Sequence, residues 1–446
     1  MADDYTKLAQ EVLERVKKEG VTTIWIWFVD ILGHLKSFAI TPAELEGAFK
    51  DGMGFDGSSI SGFNAIEESD LVAKPDPATF RLIPWNDGGE KACFMFADIL
   101  NPDKTPYQRD PRYILKRTVE KAHQQGFTMY VGPELEYFYF RSDKLPPEVL
   151  DHGGYFSGPP VDYGHTLRYQ TIEALEKLDI PVEYHHHEVG PSQHEIDLRF
   201  DEVTRMADKC IIYRWVVKEV ARRNGVYATF MPKPLEGENG SGMHTHQSLF
   251  KDGKNAFFDE NDPDYLSQTA RSYLAGILKY AEQICVFLSQ HVNSYKRLVP
   301  GYEAPVYIAW SRRNRSALVR VPEYHPGKEQ ATRIELRSPD PACNPYLAFA
   351  MMLAAGLRGI EEGLEVEPPI HENLYELTEL QRIERGIKNL PSNLNEALHH
   401  AKNSELVKDV LGEEAFLNFL DLKYREWDMY RTQVTHWELE HDFSVL

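Results

Sequence analysis

The chain has 446 residues, of which 42% are hydrophobic and 12% aromatic, a globular composition that excludes a disordered or fibrous protein. Its 69 acidic residues against 49 basic ones give a net charge of −20, which argues against nucleic acid or an anionic membrane as the main partner. A site for anionic substrates would therefore have to be a local cluster of arginines and metal ions. Cys93, Cys210, Cys285 and Cys343 form no C-x-x-C pair, and there is neither an apolar leader nor an apolar run of membrane-spanning length. These features lead us to expect reduced thiols and a cytoplasmic location.

In chain order, Leu8, Ala9, Val12, Leu13 and Val16 recur at helical spacing before Gly20, predicting an opening amphipathic helix. Ile24, Ile26 and Phe28 alternate with Trp25, Trp27 and Val29 in a strand, the Ile31-Leu32-Gly33 turn leads to a second strand ending near Ile40, and Thr41-Pro42-Ala43-Glu44 reads as a capping box. Gly52 to Ser59 is a small-residue loop around Asp56, which reads either as a turn-capping acid or as a functional one. Prolines near 75–77 and 102–106 place a domain boundary near 106, giving domains 1–105 and 106–446.

Beyond it the pattern predicts a helix over 111–125 and a strand from Thr128 to Phe140 with Glu134 and Glu136 on one face. Strands Val182 to Glu188 and His194 to Phe200 follow, joined by Gly190-Pro191-Ser192, with Glu188 and Glu195 near the two sides of the turn. The loop Asn239-Gly240-Ser241-Gly242 runs into a strand that puts His244, His246 and Ser248 on one face, and its glycines let a ligand approach the backbone. Lys296 to Pro305 reads as a loop or lid carrying Arg297 and Glu303. Arg315 and Arg320 flank an apolar run, Arg333, Glu335 and Arg337 share a face, and Asn344-Pro345 opens a buried helix through Leu357.

Glu134, Glu136, Glu188, Glu195 and Glu335 with His244 are hard oxygen donors plus one nitrogen, a set for Mg²⁺ or Mn²⁺ rather than zinc. Arg297, Arg315, Arg320, Arg333 and Arg337 match carboxylate and phosphate geometry, so the chemistry indicated is phosphoryl transfer, without a P-loop or kinase signature.

Asp56 to Ser59, Gly132 to Glu136, His186 to Pro191, Asn239 to His246, Lys296 to Pro305, Asn314 to Ser316 and Arg333 to Asn344 together resemble the ordered motifs of type I glutamine synthetase over nearly the whole chain. The resemblance implies an α+β protein, with an N-terminal β-grasp domain and a catalytic domain whose curved antiparallel sheet is flanked by helices. It further implies a dodecamer of two stacked six-membered rings with sites between subunits. The substrates implied are L-glutamate, ammonium and ATP, joined through a γ-glutamyl phosphate with two or more Mg²⁺ or Mn²⁺ ions per site. Carried over by position, Glu136, Glu188 and Glu195 hold one metal, and Glu134, His244 and Glu335 the second. Arg297, Arg337, Asn239 and Gly240 bind glutamate, and Arg315, Arg320 and Arg333 meet the phosphates. Phe200, His246 and Ser248 lie at the nucleotide, while Asp56, Ser59, Tyr155 and Glu303 form the ammonium site and its flap. The rivals are a glutamate–amine ligase of the same fold and a catalytically silent assembly or regulatory relative.

The chain departs from the family at three points. Asn64-Ala65 stands where the glutamine-inhibited subtype has an arginine, so weak glutamine feedback is expected. Tyr375 resembles a tyrosine that another subtype modifies, and is read here as structural. Gln330 stands in place of a nucleotide-contacting lysine, or Lys328 replaces it. Small nitrogen-regulatory partner proteins would leave no motif.

Overall fold

The computed structural model describes residues 2–62, 70–86, 88–302, 304–312, 314 and 316–446, the first two by backbone alone. Ala65, Glu303 and Arg315 therefore lie outside the described residues. Helix α1 (Ala2–Glu19) precedes β1 (Thr23–Val29) and β2 (Leu35–Ile40), followed by α2 (Leu45–Asp51), β3 (Met53–Asp56), β4 (Asp70–Pro75), β5 (Arg81–Leu82) and β6 (Ala92–Leu100). The strands form one sheet in the order β2-β1-β6-β4-β3, with β5 also beside β6 and β1 parallel to β6. Alternation along β1 explains how this sheet is fixed on both faces. Ile24, Ile26 and Phe28 pack beneath α1 in a small core of their own. On the opposite face, Trp27 stacks on Phe94 at 3.8 Å and meets Trp215 edge-on at 5.0 Å, so it belongs to the main core. The expected capping box does not form: Thr41 makes no side-chain cap bond, and Pro42–Glu44 is a turn of 3-10 helix ahead of α2.

The rest of the chain contributes α3 (Pro111–Gln124), β7 (Thr128–Phe140), α4 (His165–Lys177), β8 (Val182–His187), β9 (Gln193–Leu198), β10 (Asp201–Glu202), α5 (Val203–Arg223), β11 (Tyr227–Thr229), β12 (Met243–Lys251) and β13 (Lys254–Asn255). Next come α6 (Gln268–Leu288), α7 (Ser294–Arg297), β14 (Tyr307–Ser311), β15 (Ala317–Arg320), β16 (Ile334–Leu336), α8 (Pro345–Glu361), α9 (Glu379–Glu384) and β17 (Lys388–Asn389). Helices α10 (Leu394–Lys402), α11 (Glu405–Leu411), α12 (Glu413–Arg431) and α13 (His436–His441) complete the chain. The second sheet is curled and runs β17-β14-β15-β16-β12-β7-β9-β8. It is mixed rather than wholly antiparallel, because β14 and β15 run parallel. Arg297 closes the short helix α7 instead of sitting in a loop. Helix α8 extends past Leu357 to Glu361, and Tyr346 to Leu353 are fully buried along it, as its nearly uninterrupted apolar sequence requires.

Two devices dock the smaller sheet on the larger one. Asn344 caps α8 through the amide of Tyr346, while its Nδ2 donates to the carbonyls of Asp30 at 3.2 Å and Ile31 at 3.1 Å. Gly33 in that turn has φ +86°, and a Cβ there would stand 2.9 Å from the Asn344 Cα, so only glycine permits the approach. Buried Arg112 on α3 spans Asp98 at 2.6 Å and Asp76 at 2.8 Å in the first sheet region and Asp208 on α5 at 3.0 Å. Removing one member of such a network leaves the others uncompensated. We expect Arg112→Met to lower stability by about 3–5 kcal/mol, read from the urea midpoint. An unchanged midpoint would mean that the ion network does not hold the sheets together.

Candidate active site

The concave face of the larger sheet carries its charges in register. Cross-strand pairing sets Glu134 on β7 opposite His244 and Asp197, Glu136 opposite Glu195, and Glu335 on β16 opposite both His246 and Arg320. The alternate residues Leu135, Tyr137, Met243, Ile196, Ile334 and Leu336 are buried behind the sheet. The spacing that predicts a shared face for the carboxylates also supplies the apolar anchor for each one.

These side chains surround a cavity of about 240 Å³ lined by Glu134, Glu136, Glu188, Glu195, His244 and Glu335, and also by Tyr155, Asn239, Gly240, Arg297, Arg320, Arg333, Arg337 and His246. A second cavity of about 320 Å³ adjoins it and holds Phe200 and Ser248. Glu134, Tyr184, His246 and Arg333 line both and mark the junction. Asp56 and Ser59 line neither cavity. Asp56 ends β3, where its carboxylate accepts from the Ser58 amide at 2.8 Å, and Ser58 holds its pKa below the usual range.

Burial makes this concentration of charge costly and shifts its carboxyls in different directions. The Glu136 carboxyl is pushed well up by burial first and by Glu188 second, and Glu195 likewise by burial and then by Asp197. Asp197 is raised to about 6, again mainly by burial. Burial would raise Glu134 too, but hydrogen bonds from His244 and His246 outweigh it and hold that carboxylate well below its ordinary value. Glu335 is also held down against burial, by His246 and Arg337, with Arg337 donating at 2.5 Å and Arg320 at 2.9 Å. His244 falls to about 4 through burial and then the charge of Arg337, so it is a neutral imidazole at pH 7. The Arg333 Nε donates to His246 Nδ1 at 3.1 Å, which puts the proton of His246 on Nε2, 2.9 Å from Glu134. His246 thereby accepts from Arg333 on one side of the junction and donates to Glu134 on the other, leaving His244 as the neutral nitrogen beside Glu134.

Donor sets for a divalent cation are close together. Ligand atoms of His186, Glu188 and Glu195 lie within 4.8 Å of one another, as do those of Glu134, Glu195 and Asp197; those of Glu134, His246 and Glu335 are equally close, but both His246 nitrogens are engaged by Arg333 and Glu134. These sets are rich in carboxylate oxygen and mutually repelling, which fits hard ions such as Mg²⁺ or Mn²⁺.

His186, Tyr184, Gln193, Tyr302 and Asp197 escaped the sequence reading. Asp197 had a usable signal, since it stands two residues from Glu195 on the same strand face. Gln193 had the same spacing, and its Nε2 donates to Glu136 Oε2 at 2.9 Å and to the Gly240 carbonyl at 3.1 Å. The amide of Gly242 holds the same Glu136 oxygen at 3.0 Å, and a Cβ there would meet Arg297 Nη2 at 2.7 Å. Behind the hairpin, Asp151 accepts from the Ser192 and Gly153 amides and pairs with His187 at 2.9 Å, while Arg168 joins Asp162 to His194. This rear network ties the segment carrying Tyr155 to the strands carrying Glu188 and Glu195. Tyr375 donates to the Ala304 carbonyl at 2.8 Å, which fits a structural role.

The family model described as "Glutamine synthetase, beta-Grasp domain" matches residues 20–102, and that described as "Glutamine synthetase, catalytic domain" matches residues 108–442. The chain is 49% identical to a glutamine synthetase of Methanosarcina mazei over 98% of each chain, and 47% identical to one of Thermotoga maritima over 96% of this chain and 98% of that one. A Plasmodium falciparum glutamine synthetase structure superimposes with a TM-score of 0.88 at 26% identity, covering 97% of this chain and 98% of the other.

Removing the support behind a ligand carboxylate should loosen an ion without abolishing the fold. Gln193→Leu and Gly242→Ala should each weaken Mn²⁺ binding by about 10–100-fold in titrations that follow free Mn²⁺ by electron paramagnetic resonance. Unchanged affinity in both would show that Glu136 is not positioned by these contacts.

Proposed function

Since the chain belongs to the glutamine synthetase family and catalyses ATP-dependent synthesis of glutamine, we propose a division of labour between the two adjoining cavities. Glutamate and ammonia occupy the carboxylate-lined cavity and ATP the neighbouring one, so that the γ-phosphate reaches the junction at Glu134, His246 and Arg333. The observation that carries this reading is that the two cavities adjoin and share Glu134, Tyr184, His246 and Arg333 in their linings.

In this reading Glu136, Glu188 and Glu195 hold one Mg²⁺ or Mn²⁺, and Glu134, His244 and Glu335 hold another. When bound, the ions neutralise the carboxylates and screen the charge of the transferred phosphoryl group. Arg297 and Arg337, with Asn239 and Gly240, hold the ends of glutamate, while Arg320, Arg333 and Arg315 face the phosphates. The γ-carboxylate oxygen of glutamate attacks the γ-phosphorus and ADP leaves, which converts a poor electrophile into an acyl phosphate. Ammonium then gives a proton to Asp56, and ammonia attacks the acyl carbon and expels phosphate. Asp56 suits the holding of the cation, with Tyr155, Ser59 and Glu303, because its carboxylate is ionised at neutral pH.

Asp56 and Ser59 line neither of these two cavities, which supports a site completed by a neighbouring subunit in a dodecamer of two stacked hexamers. A cytoplasmic setting is supported by four free, buried cysteines and by the lack, among the described residues, of any helix long and apolar enough to cross a membrane.

Ammonium should be the preferred acceptor: in an ADP-release assay its kcat/KM should exceed those of putrescine and ethanolamine, and the reverse order would sink the choice. Glu335→Ala should reduce turnover to near zero at all Mg²⁺ concentrations. Mixed oligomers of Asp56→Ala and Glu335→Ala subunits should regain part of the activity that each variant lacks. No recovery in verified mixed oligomers would count against a shared site.

A further inference from the structure

A further cleft lies away from the carboxylate cavity. It encloses about 700 Å³ between the Gly33–Leu35 turn, α5 and the segments 229–232 and 291–293. Its walls are mainly apolar, with Ile211, Trp215, Phe230 and Val292 among them, yet Arg214 and Lys218 stand in it one turn apart on the same face of α5.

The charges of this cleft do not balance. Its acid, Glu426 on α12, is already engaged by Lys423, by His291 at 3.7 Å and by the Val292 amide at 3.0 Å. His34 is paired with Asp30 at 3.1 Å. Arg214 has no such partner: its Nε and Nη2 are out of contact with solvent and have no acceptor among the described residues. Lys218 has no carboxylate partner among the described residues either and stands over the Phe230 ring at 5.8 Å. Burial first and the charge of Arg214 second lower its proton affinity. A guanidinium desolvated from behind and unpaired is costly, and an anion reaching it from the cleft would relieve that cost. In a chain of net charge −20, two adjacent uncompensated cations on an apolar wall define a ligand chemistry.

We propose that this cleft is a second binding site, separate from the substrate cavities, for a small organic carboxylate with a flat apolar body. The carboxylate sits on Arg214 and Lys218, and the body lies against Trp215 and Phe230. Because the cleft is walled by the Gly33–Leu35 turn on one side and α5 on the other, its occupant touches both sheets' supports at once.

Benzoate is the probe, titrated calorimetrically into the intact assembled protein. It should bind saturably, once per chain, and should not be displaced by saturating L-glutamate with MgADP. Arg214→Met should weaken it about tenfold or more, and Lys218→Met should weaken it while leaving turnover without benzoate unchanged. Displacement by the substrates would overturn the proposal, as would phosphate binding in the cleft without benzoate binding. Should Arg214→Met fail to fold, Arg214→Lys and Lys218→Met carry the test, and equal affinity in both would overturn it. An Arg214→Met oligomer that sediments as smaller species, with no benzoate bound by the parent protein, would assign the cation to a carboxylate of another subunit and likewise overturn it.

Discussion

Mutual repulsion among carboxylates is the constraint on which the rest of the structure depends. Glu134, Glu136, Glu188, Glu195, Asp197 and Glu335 face one another in two joined cavities, half-buried or buried, where charge is weakly screened. Without external support such a face would turn outward to water. What keeps it inward is the opposite face of the same strands, where Leu135, Tyr137, Ile196 and Ile334 are inserted into the main core. The hydrophobic gain on one side holds together what electrostatics on the other would separate.

The counter-charges differ in kind, and the difference sets their roles. Arg320 and Arg337 both grip Glu335, so that carboxylate stays ionised. Glu136 and Glu195 have no arginine ion pair of this kind among the described residues, and burial pushes both carboxyls up. The site is therefore asymmetric: Glu335 is held by two arginines, whereas burial dominates at Glu136 and Glu195. Arg297 is different again, since its guanidinium donates to the carbonyls of Ser338, Pro339 and Arg337 and so fixes the segment following β16 as well as facing the cavity.

Much of this was legible in the sequence, because strands encode facing by parity alone. The Thr128–Phe140 strand has the predicted bounds, and the shared faces of Glu134 with Glu136 and of His244 with His246 follow from counting. Parity says nothing about which strands become neighbours, so the pairing of Asp197 with Glu134 and the parallel run of β14 and β15 were not readable. Nor were contacts made by residues with two plausible uses. Gln193 looks like an ordinary hairpin amide until the Gly240 carbonyl comes within its reach, and Thr41 has the right neighbours for a capping box but a 3-10 turn beyond it. Asp56 is recognisable by its motif, while its absence from the linings of both cavities is a matter of tertiary placement, which no local pattern records.

The strict alternation of the larger sheet also limits how such a protein can diversify. On β7, β9, β12 and β16 one residue set carries the charged face and the other fills the core, so a drift in either direction disturbs chemistry or packing. Neutral positions are scarce there. Variation in acceptor preference would have to enter through segments that hang from the scaffold without completing its register: the turn after Asp56, the stretch around Tyr155 held at Asp151 and at the His187 carbonyl, and the connection carrying Tyr302. The sheet would then behave as a fixed instrument and its loops as interchangeable mouthpieces, with new acceptors acquired by lengthening or reshaping a loop rather than by editing a strand.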